Sequence, residues 1–210
     1  MAYLALVRHG QSEYNKTGQW TGLTDVSLTQ EGIQEAHEAG VVLKEQNILF
    51  QTAFTSLLTR AQQTLHEILA VLDVQIPIVK DAALNEKDYG IYTGKNKWEI
   101  EKQVGEAEFL KIRRSWDYVP PEGESLKMVY ERVVPYYEAH IVPKLKRGEN
   151  VLVVAHGNSL RALIKYLDHI SDTDISQFEL KTGEIHLYTL DKNAAVLTKQ
   201  VLVEHNTTAL

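Results

Sequence analysis

The sequence predicts an α/β fold, organised as a single three-layer α/β/α domain with a mostly parallel central sheet and a small helical insertion. Short apolar runs alternate with helical patterns along the 210 residues, which is typical of parallel strands covered by helices on both faces. Hydrophobic residues make up 44% of the chain and charged residues 24%, as in ordinary globular proteins. The length suits one domain, and we expect it to span residues 1–210.

The first part of the chain predicts alternating strands and helices. In order, these are a strand at 3–8, a helix at 29–46, a strand at 50–54, a helix at 57–72 and a strand at 76–79. The first strand is an apolar run that stops at His9. Thr29 is a suitable N-cap, and apolar residues then recur every three or four positions in both helices. Pro77 and Asp81 bound the short third strand.

The middle of the chain, residues 84–123, is rich in glycine and aromatic residues. Two helical pieces lie inside it, near residues 97–104 and 106–115. Proteins of the α/β class often place substrate-binding elements in such segments, so we expect a small helical substrate-binding insertion here. The helix that follows begins at Ser125 and is expected to be interrupted near Pro135 or Pro143.

The last part of the chain predicts a buried strand, a helix and an antiparallel strand pair. These elements cover residues 151–155, 159–167, 185–190 and 196–203. The buried strand is an unbroken apolar run that stops at His156, and the strand pair turns around residues 191–193. The polar residues 205–210 are expected to form a mobile tail.

Composition excludes several classes of function. The net charge of −6 provides no basic footprint for nucleic acid or for an anionic membrane, and no apolar stretch approaches membrane-spanning length. The chain has no cysteine, so disulfides, thiolate metal sites and cysteine nucleophiles are excluded. The first apolar run is too short for a signal peptide, and we therefore expect a cytoplasmic protein.

The first candidate site follows the first strand. Arg8 and His9 lie at the strand end, before Gly10 and an expected helix start, and a helix N-terminus with an arginine binds phosphate well. A neutral imidazole is also a nucleophile that can carry a covalent phosphoryl group. The alternative is a structural histidine beside a salt-bridged arginine.

A second strand ends in the same way, at His156-Gly157. Ligands of such sheets bind beyond the carboxyl ends of the strands. If the two strand ends are neighbours, two imidazoles face one anion, and His156 could stabilise the transferring group by a hydrogen bond. The alternative is a turn histidine that caps the next helix. Arg60 could reach the same edge, although an exposed helix arginine is the commoner case.

Two further groups of charged residues complete the candidate chemistry. Phosphoryl transfer to or from a hydroxyl group needs a proton carrier, and Glu86 is the candidate if its surroundings raise its pKa. Otherwise Glu86 is an ordinary turn carboxylate. The pair Arg113-Arg114, with Lys97 upstream, could hold a dianionic group, although adjacent arginines usually form a solvated helix face.

Taken together, these segments resemble the histidine phosphatase superfamily and, within it, the cofactor-dependent phosphoglycerate mutases. The resemblance runs through nearly the whole chain in order. The motif Arg8-His9-Gly10 is common to the superfamily, whereas a second set of residues is more specific to the mutases. That set comprises Thr21-Gly22, Glu86, Tyr89, Lys97 and Arg113-Arg114.

The resemblance implies a role for each of these residues. His9 is expected to be the phosphorylated nucleophile, His156 its partner in the transition state, and Glu86 the proton donor and acceptor. The residues expected to surround the transferring phosphate are Arg8, Asn15, Arg60, Gly157 and Asn158. Those expected to hold the remainder of phosphoglycerate are Thr21, Gly22, Tyr89, Lys97, Arg113 and Arg114.

The implied reaction interconverts 3-phosphoglycerate and 2-phosphoglycerate, a step of glycolysis and gluconeogenesis. It is primed by 2,3-bisphosphoglycerate and uses no metal, and the eight histidines show no metal-ligand spacing. The insertion at 84–123 is expected over the active site. Residues 116–123 form a shorter join than in many mutases, so we expect a monomer or a homodimer. The short C-terminal tail leaves the closure of the site, and hence the share of hydrolysis, open.

Three other functions stay open on the sequence. A phosphatase of the same superfamily would transfer the phosphoryl group to water, and it would be favoured if Lys97, Arg113 and Arg114 pointed into solvent. A non-catalytic sensor of phosphorylated ligands is disfavoured, because both histidines and the other expected catalytic residues are present. A metal hydrolase would lose its activity in a chelator.

Overall fold

Apolar strands form the centre of the molecule. The computed structural model describes residues 1–202, and within them six strands form one sheet. The strands are β1 (Ala2–Arg8), β2 (Thr52–Thr55), β3 (Ile78–Lys80), β4 (Val151–Ala155), β5 (Ile185–Leu190) and β6 (Val196–Leu202). The α-helices are α1 (Glu13–Lys16), α2 (Gln30–Glu45), α3 (Thr59–Leu72), α4 (Lys97–Val104), α5 (Glu106–Arg114), α6 (Leu126–Tyr136), α7 (Val142–Lys146) and α8 (Gly157–Leu167).

The sheet is mostly parallel, with the strand order β3-β2-β4-β1-β5-β6. The strands from β3 to β1 run parallel to one another, and β5 and β6 extend the sheet as antiparallel strands. β1 and β4 are neighbours in the middle of the sheet. The connection from β1 to β2 runs towards one edge of the sheet, and the connection from β4 to β5 runs towards the opposite edge. The carboxyl ends of β1 and β4 therefore border the crevice where open α/β sheets bind ligands.

Alternate residues of each strand point to opposite faces of the sheet. On one face, Leu6 of β1 and Val153 of β4 belong to a core that includes α6, α7 and α8. On the other face, Val7 and Val154 belong to a core that includes α2 and α3. This arrangement confirms the predicted three-layer α/β/α fold.

The helices α4 and α5 have a small core of their own. Trp20, from the loop after α1, packs there with Ile100, Phe109 and Ile112. The ring of Trp20 lies 4.5 Å from that of Tyr89, between centroids. The insertion is thus joined to the loop that follows β1, on the side of the sheet where β1 ends.

Several element boundaries differ from the prediction. The helix α8 begins two residues early, because the hydroxyl oxygen of Ser159 accepts a hydrogen bond from the backbone N–H of His156 and makes His156 the N-cap. The helix expected after Gly10 is the single turn α1, whose N-cap is Ser12. The strands β2 and β3 begin later than predicted, because the apolar residues before them pack in the core without entering the sheet.

The helix from Ser125 keeps its helical path past both prolines. A π-helical turn, Tyr137–Ile141, joins α6 to α7. Pro143 stands in the first turn of α7, where a missing N–H is tolerated. The predicted strand end Val203 and the predicted mobile tail at 205–210 lie outside the described residues. Within residues 1–202, none of the helices combines the length and the apolar character that a bilayer crossing requires.

Candidate active site

The carboxyl ends of β1 and β4 bring the two strand-end histidines together. Arg8 and Ala155 are paired in the parallel ladder, and the backbone N–H of His9 donates to the carbonyl of Ala155 at 2.9 Å. The rings of His9 and His156 meet edge to face, with their centroids 5.0 Å apart. Both rings are buried, with exposures of 3% and 0%. The structure therefore places two imidazoles within reach of one small ligand.

The hydrogen bond of His9 determines which of its ring nitrogens is available. Nδ1 lies 2.6 Å from the carbonyl oxygen of Gly10, and because a carbonyl only accepts, we assign the proton to Nδ1. In the neutral ring Nε2 then keeps its lone pair. Burial, with the charges of Arg60 and Arg8, holds the pKa of His9 well below its usual value of 6.5. At pH 7 the ring is neutral and able to act as a nucleophile.

The ring of His156 lies beside a buried serine. Its Nε2 is 2.7 Å from the hydroxyl oxygen of Ser56, the residue after β2. Burial is the main reason why the pKa of His156 also lies well below 6.5, and the charges of Arg60, His9 and Arg8 add to it. A neutral imidazole at this position can donate one hydrogen bond to a phosphoryl oxygen.

Arg60 is wholly buried at the start of α3 and holds the loop that follows Trp20. Its Nη1 and Nη2 donate to the carbonyls of Thr24 and Gly22, each at 2.9 Å. Its Nε is buried and has no hydrogen-bond partner within residues 1–202. Burial lowers the pKa of Arg60 to about 10, so the group remains a cation at neutral pH. The loop that carries Thr21 and Gly22 is thereby fixed to a cation whose charge acts on both histidines.

Glu86 reaches the N-terminus of α8. Its Oε1 accepts hydrogen bonds from the backbone N–H of Asn158 at 3.0 Å and from that of Lys87 at 2.7 Å. Its Oε2 lies 3.6 Å from the position that a side-chain carbon would take on Gly157. The free N–H groups and the dipole of the helix stabilise a carboxylate there. Glu86 is thus held rigidly next to the residue that follows His156.

A cavity of about 100 Å³ lies beside this helix end. The predicted residues that line it are Arg8, Glu86, Tyr89, Lys97, Arg113, Arg114, Gly157 and Asn158. Burial lowers the pKa of Lys97 to about 8, and repulsion by Arg113 and Arg8 adds to the effect. Such crowding of like charges is relieved when an anion binds among them. Lys97, Arg113 and Arg114 therefore line a shared cavity, whose concentration of positive charge would favour an anion.

Six predicted residues are missing from the described part of the cavity lining: His9, His156, Arg60, Asn15, Thr21 and Gly22. The side-chain oxygen of Asn15 accepts hydrogen bonds from the backbone N–H and the hydroxyl of Ser12, at 3.1 and 2.9 Å. Thr21 is buried, and Gly22 has a φ of 51°, a left-handed conformation that favours glycine. Their expected contacts with substrate stay predictions.

The cavity is also lined by residues that sequence reasoning missed: Trp20, Arg161, Glu179 and Leu180. Arg161 is buried and donates to the side-chain oxygen of Asn158 at 2.9 Å. Its position one helical turn after Asn158 was a signal that could have identified it. Glu179 is a single acidic residue in a loop, and no pattern in the chain distinguishes it from other loop carboxylates.

The arrangement combines groups that phosphoryl transfer requires. Two neutral imidazoles lie next in sequence to Arg8 and Gly157, which line the cavity, and the lining itself contains a fixed carboxylate and a set of cations. In the part of the chain that the structure describes, no group of three or more histidine, aspartate or glutamate side chains is placed to hold a metal ion.

Known proteins resemble this chain in sequence and in fold. The chain matches the family model described as histidine phosphatase superfamily (branch 1) over residues 4–202. It is similar to a 2,3-bisphosphoglycerate-dependent phosphoglycerate mutase from Parvibaculum lavamentivorans, at 46% identity over 96% of each chain. The enzyme of that name from Nitrobacter hamburgensis is 49% identical, over 93% of this chain and 95% of the relative. The crystal structure of the α-ribazole phosphatase from Shigella flexneri matches with a TM-score of 0.78 at 25% identity, over 95% of each chain.

Proposed function

Because this chain belongs to the histidine phosphatase superfamily, we propose that it is a 2,3-bisphosphoglycerate-dependent phosphoglycerate mutase. It interconverts 3-phosphoglycerate and 2-phosphoglycerate through a phosphohistidine on His9. One observation carries the assignment of the chemistry. Two buried neutral imidazoles, 5.0 Å apart, lie next in sequence to Arg8 and Gly157, which line a cavity that also holds Lys97 and the pair Arg113-Arg114.

The donor set around the cavity fits 2,3-bisphosphoglycerate. The Nε atoms of Arg8 and Arg60 are buried and have no hydrogen-bond partner among residues 1–202, and Lys97 is repelled by Arg113 and Arg8. A ligand with two phosphates and a carboxylate supplies acceptors for these donors, with Arg8 and Arg60 at one phosphate and Lys97 and Arg113 at the other acid groups. When bound, it provides the phosphoryl group that loads His9.

The nucleophile is Nε2 of His9. Its lone pair attacks the phosphorus of a bound phosphate ester, a P–N bond forms, and the P–O bond to the leaving hydroxyl oxygen breaks. The hydrogen bond from Nδ1 to the carbonyl of Gly10 holds the ring in the required tautomer and stabilises the positive charge that the ring gains. Burial keeps the ring unprotonated before the attack.

The partner histidine and the arginines stabilise the transferring group. The ring of His156 would donate one hydrogen bond to a phosphoryl oxygen; its Nε2 contacts Ser56, and its Nδ1 is buried without a partner among residues 1–202. Arg8 and Arg60 add positive charge beside it. These interactions are stronger in a buried site than in water, because the local dielectric constant is low and the groups are already oriented.

Glu86 carries the proton. Its carboxylate first takes a proton from the hydroxyl group that attacks phospho-His9, and it then gives this proton to the leaving hydroxyl oxygen when His9 is phosphorylated again. The phosphoryl group moves from His9 to the free hydroxyl of 3-phosphoglycerate, and the phosphoryl group on the other carbon returns to His9. The net change is an isomerisation, and the enzyme ends the cycle phosphorylated.

The cations beyond the transferring phosphate favour a mutase over a phosphatase. A phosphatase needs only the groups around one phosphate, whereas a mutase must retain its ligand while the two ends exchange places. Lys97, Arg113 and Arg114 line the cavity and can hold the second acid group during that exchange. The fold is also that of the α-ribazole phosphatase, so hydrolysis is the second outcome that an assay must measure.

The assay mixes the protein with 3-phosphoglycerate, with and without 2,3-bisphosphoglycerate, and measures 2-phosphoglycerate and free phosphate. We expect isomerisation that the primer stimulates, with little phosphate release and no loss of activity in a chelator. His9→Ala should abolish turnover, whereas His66→Ala, an exposed position on α3, should not. Phosphate as the main product would select the phosphatase, and turnover by His9→Ala would show that the nucleophile is misassigned.

The remaining features of the proposal concern the whole chain. Residues 84–123 act as one insertion over the active site of a single domain spanning 1–210. The enzyme takes a small phosphoglycerate substrate, without a nucleic-acid or membrane partner, and a glycolytic substrate implies a cytoplasmic enzyme. It works as a monomer or a homodimer, which light scattering on the purified protein distinguishes.

A further inference from the structure

Glu179 lies between two neighbouring spaces. The inner space is the cationic cavity of about 100 Å³, and the outer one is a groove of about 750 Å³. Arg114 and Glu179 line both of them, so this ion pair forms part of the wall that separates the two. The mechanism derived above gives Glu179 no task, although its carboxylate is in contact with residues expected to hold substrate.

The carboxylate of Glu179 engages both members of the arginine pair. Nη2 of Arg114 donates to Oε2 at 2.6 Å, and Nη2 of Arg113 donates to Oε1 at 3.4 Å. Partial burial tends to raise the pKa of Glu179, but the hydrogen bond from Arg114 and the charges of both arginines hold it below its usual value of 4.5. At neutral pH an anion of the protein itself therefore occupies these two cations.

The segment around Glu179 is anchored by its neighbour. Leu180 is buried, with an exposure of 1%, and its carbonyl accepts a hydrogen bond from Nη1 of Arg8. The side chain of Glu179 is 54% exposed, so it can rotate away from the arginines without disturbing the core. A ligand thus has only one flexible side chain to move.

We propose that Glu179 is a specificity-determining residue, whose carboxylate holds Arg113 and Arg114 until the second acid group of the substrate replaces it. The inference rests on the proposed function, because it assigns both arginines to phosphoglycerate. A phosphate ester without a second acid group leaves the ion pair intact. A ligand with a second acid group must displace Glu179, because that group and the carboxylate of Glu179 would repel each other at the same guanidinium groups.

A role for Glu179 in positioning the arginines would predict the opposite change in substrate affinity. If Glu179 stays in place and orients the arginines while substrate binds, removal of its charge weakens binding. If Glu179 competes with the substrate for the arginines, removal of its charge strengthens binding. The sign of the change in affinity therefore decides between competition and positioning.

The experiment measures binding by calorimetry on the unphosphorylated enzyme, without 2,3-bisphosphoglycerate. It compares the wild type with Glu179→Gln, which keeps the shape of the side chain and removes its charge. The probes are 3-phosphoglycerate and glycerol 3-phosphate, which lacks the carboxylate. We expect the Kd of 3-phosphoglycerate to fall about three-fold in Glu179→Gln, and the Kd of glycerol 3-phosphate to change by less than about 1.5-fold.

Asp117→Asn is the matched control, because Asp117 lines the outer groove and receives its hydrogen bond from Ser115. This variant removes the same charge, and we expect neither Kd to change. Weaker or unchanged binding of 3-phosphoglycerate to Glu179→Gln would overturn the inference. Equal tightening of both ligands, or tightening by Asp117→Asn, would also overturn it, since a general charge effect would then suffice.

The results distinguish a failure of the role proposed for Glu179 from a failure of the proposed mutase reaction. A wild type that binds 3-phosphoglycerate without isomerising it would refute the mutase and leave the role of Glu179 supported by the expected shift. A wild type that isomerises it, with no shift in Glu179→Gln, would refute the role of Glu179 alone. Absence of binding to both proteins would refute both.

Discussion

At the scale of single residues, burial beside cations controls the protonation of both histidines. Protonation of either ring would add a positive charge in a buried region that already contains Arg8 and Arg60. The pKa of His9 and that of His156 are therefore held below 6.5 by burial first and by these charges second. The low pKa that suits His9 to its proposed role as nucleophile should also make the folded state sensitive to acid.

The pH dependence of stability tests this condition. In the unfolded chain the histidines titrate near their usual pKa of 6.5, so below about pH 6.5 the unfolded state binds protons that the folded state excludes. Stability should be retained above that pH and lost below it, by up to about 1.4 kcal/mol per pH unit for each buried ring. We expect His9→Gln to flatten the decline in the free energy of unfolding between pH 7 and pH 5.

The measurement is urea denaturation at a series of pH values. The slope against pH is compared between variants, since each substitution also changes the absolute stability. His66→Gln, at an exposed position on α3, is the control and should keep the slope of the wild type. An equal slope in His9→Gln would mean that the ring at position 9 takes up a proton in the folded state.

At the scale of elements, the site depends on how closely the start of α2 approaches the loop after β1. A side-chain carbon on Gly32 would lie 2.0 Å from the carbonyl oxygen of Gln11, and one on Gly10 would lie 2.1 Å from the carbonyl oxygen of Gly32. Two backbone segments meet there without space for a methyl group. The same contact holds the loop that follows His9.

Gly32→Ala and Gly157→Ala test two different expected requirements: Gly32 for stability of the fold, and Gly157 for substrate binding. Gly32→Ala should lower the free energy of unfolding by about 3 kcal/mol, because its methyl group meets backbone atoms that cannot move away cheaply. Gly157→Ala should change it by less than about 1 kcal/mol, because its methyl group meets Arg8 and Glu86 at an ordinary 3.6 Å.

Gly157 lines the cavity, so Gly157→Ala should instead raise the KM for 3-phosphoglycerate. Urea denaturation and steady-state kinetics on both variants check the pair. If Gly32→Ala were as stable as the wild type, the close approach of α2 to the loop would not exist in solution.

At the scale of the whole molecule, the protein has separate cores with separate tasks. The two cores on the faces of the sheet hold the strands that carry the histidines, and a third core around Phe109 holds α4 and α5. Lys97 and Arg113 belong to these two helices, and Arg60 and both histidines belong to the sheet and its flanking helices. The proposed catalytic groups and the proposed substrate-holding cations thus depend on different parts of the hydrophobic interior.

Phe109→Ala tests this division. Truncation of a buried phenylalanine costs about 3–5 kcal/mol, and here the loss should be confined to the third core. We expect amide hydrogen exchange to increase across 97–114 while β1 and β4 stay protected, and the KM for 3-phosphoglycerate to rise. Val153→Ala, in the sheet, should lower global stability without selective loss in the insertion. Uniform loss of protection in Phe109→Ala would show that the cores unfold as one.

Prediction from the sequence succeeded where the signal is local. The apolar runs that stop at His9 and His156 identified β1 and β4, the predicted N-cap Thr29 is that of the structure, and the helix expected from Ser125 has that residue as its N-cap. Prediction failed at the start of α8, because apolar periodicity does not reveal that Ser159 caps the helix from inside. Apolar runs can be read directly from the sequence, whereas the hydrogen bond of Ser159 that starts α8 becomes evident only in the folded chain.

Local patterns in the chain were sufficient for the class of fold, the strand-end motifs and the resemblance to a family, because apolar periodicity and turn residues act over a few neighbouring positions. Contacts between distant residues settled that β1 lies beside β4 and that Glu179 occupies Arg113 and Arg114, whereas a hydrogen bond to the neighbouring Gly10 leaves the lone pair of His9 on Nε2. Strand order and ion pairing depend on how separate segments pack together, and no local preference of the backbone or of a side chain specifies that packing.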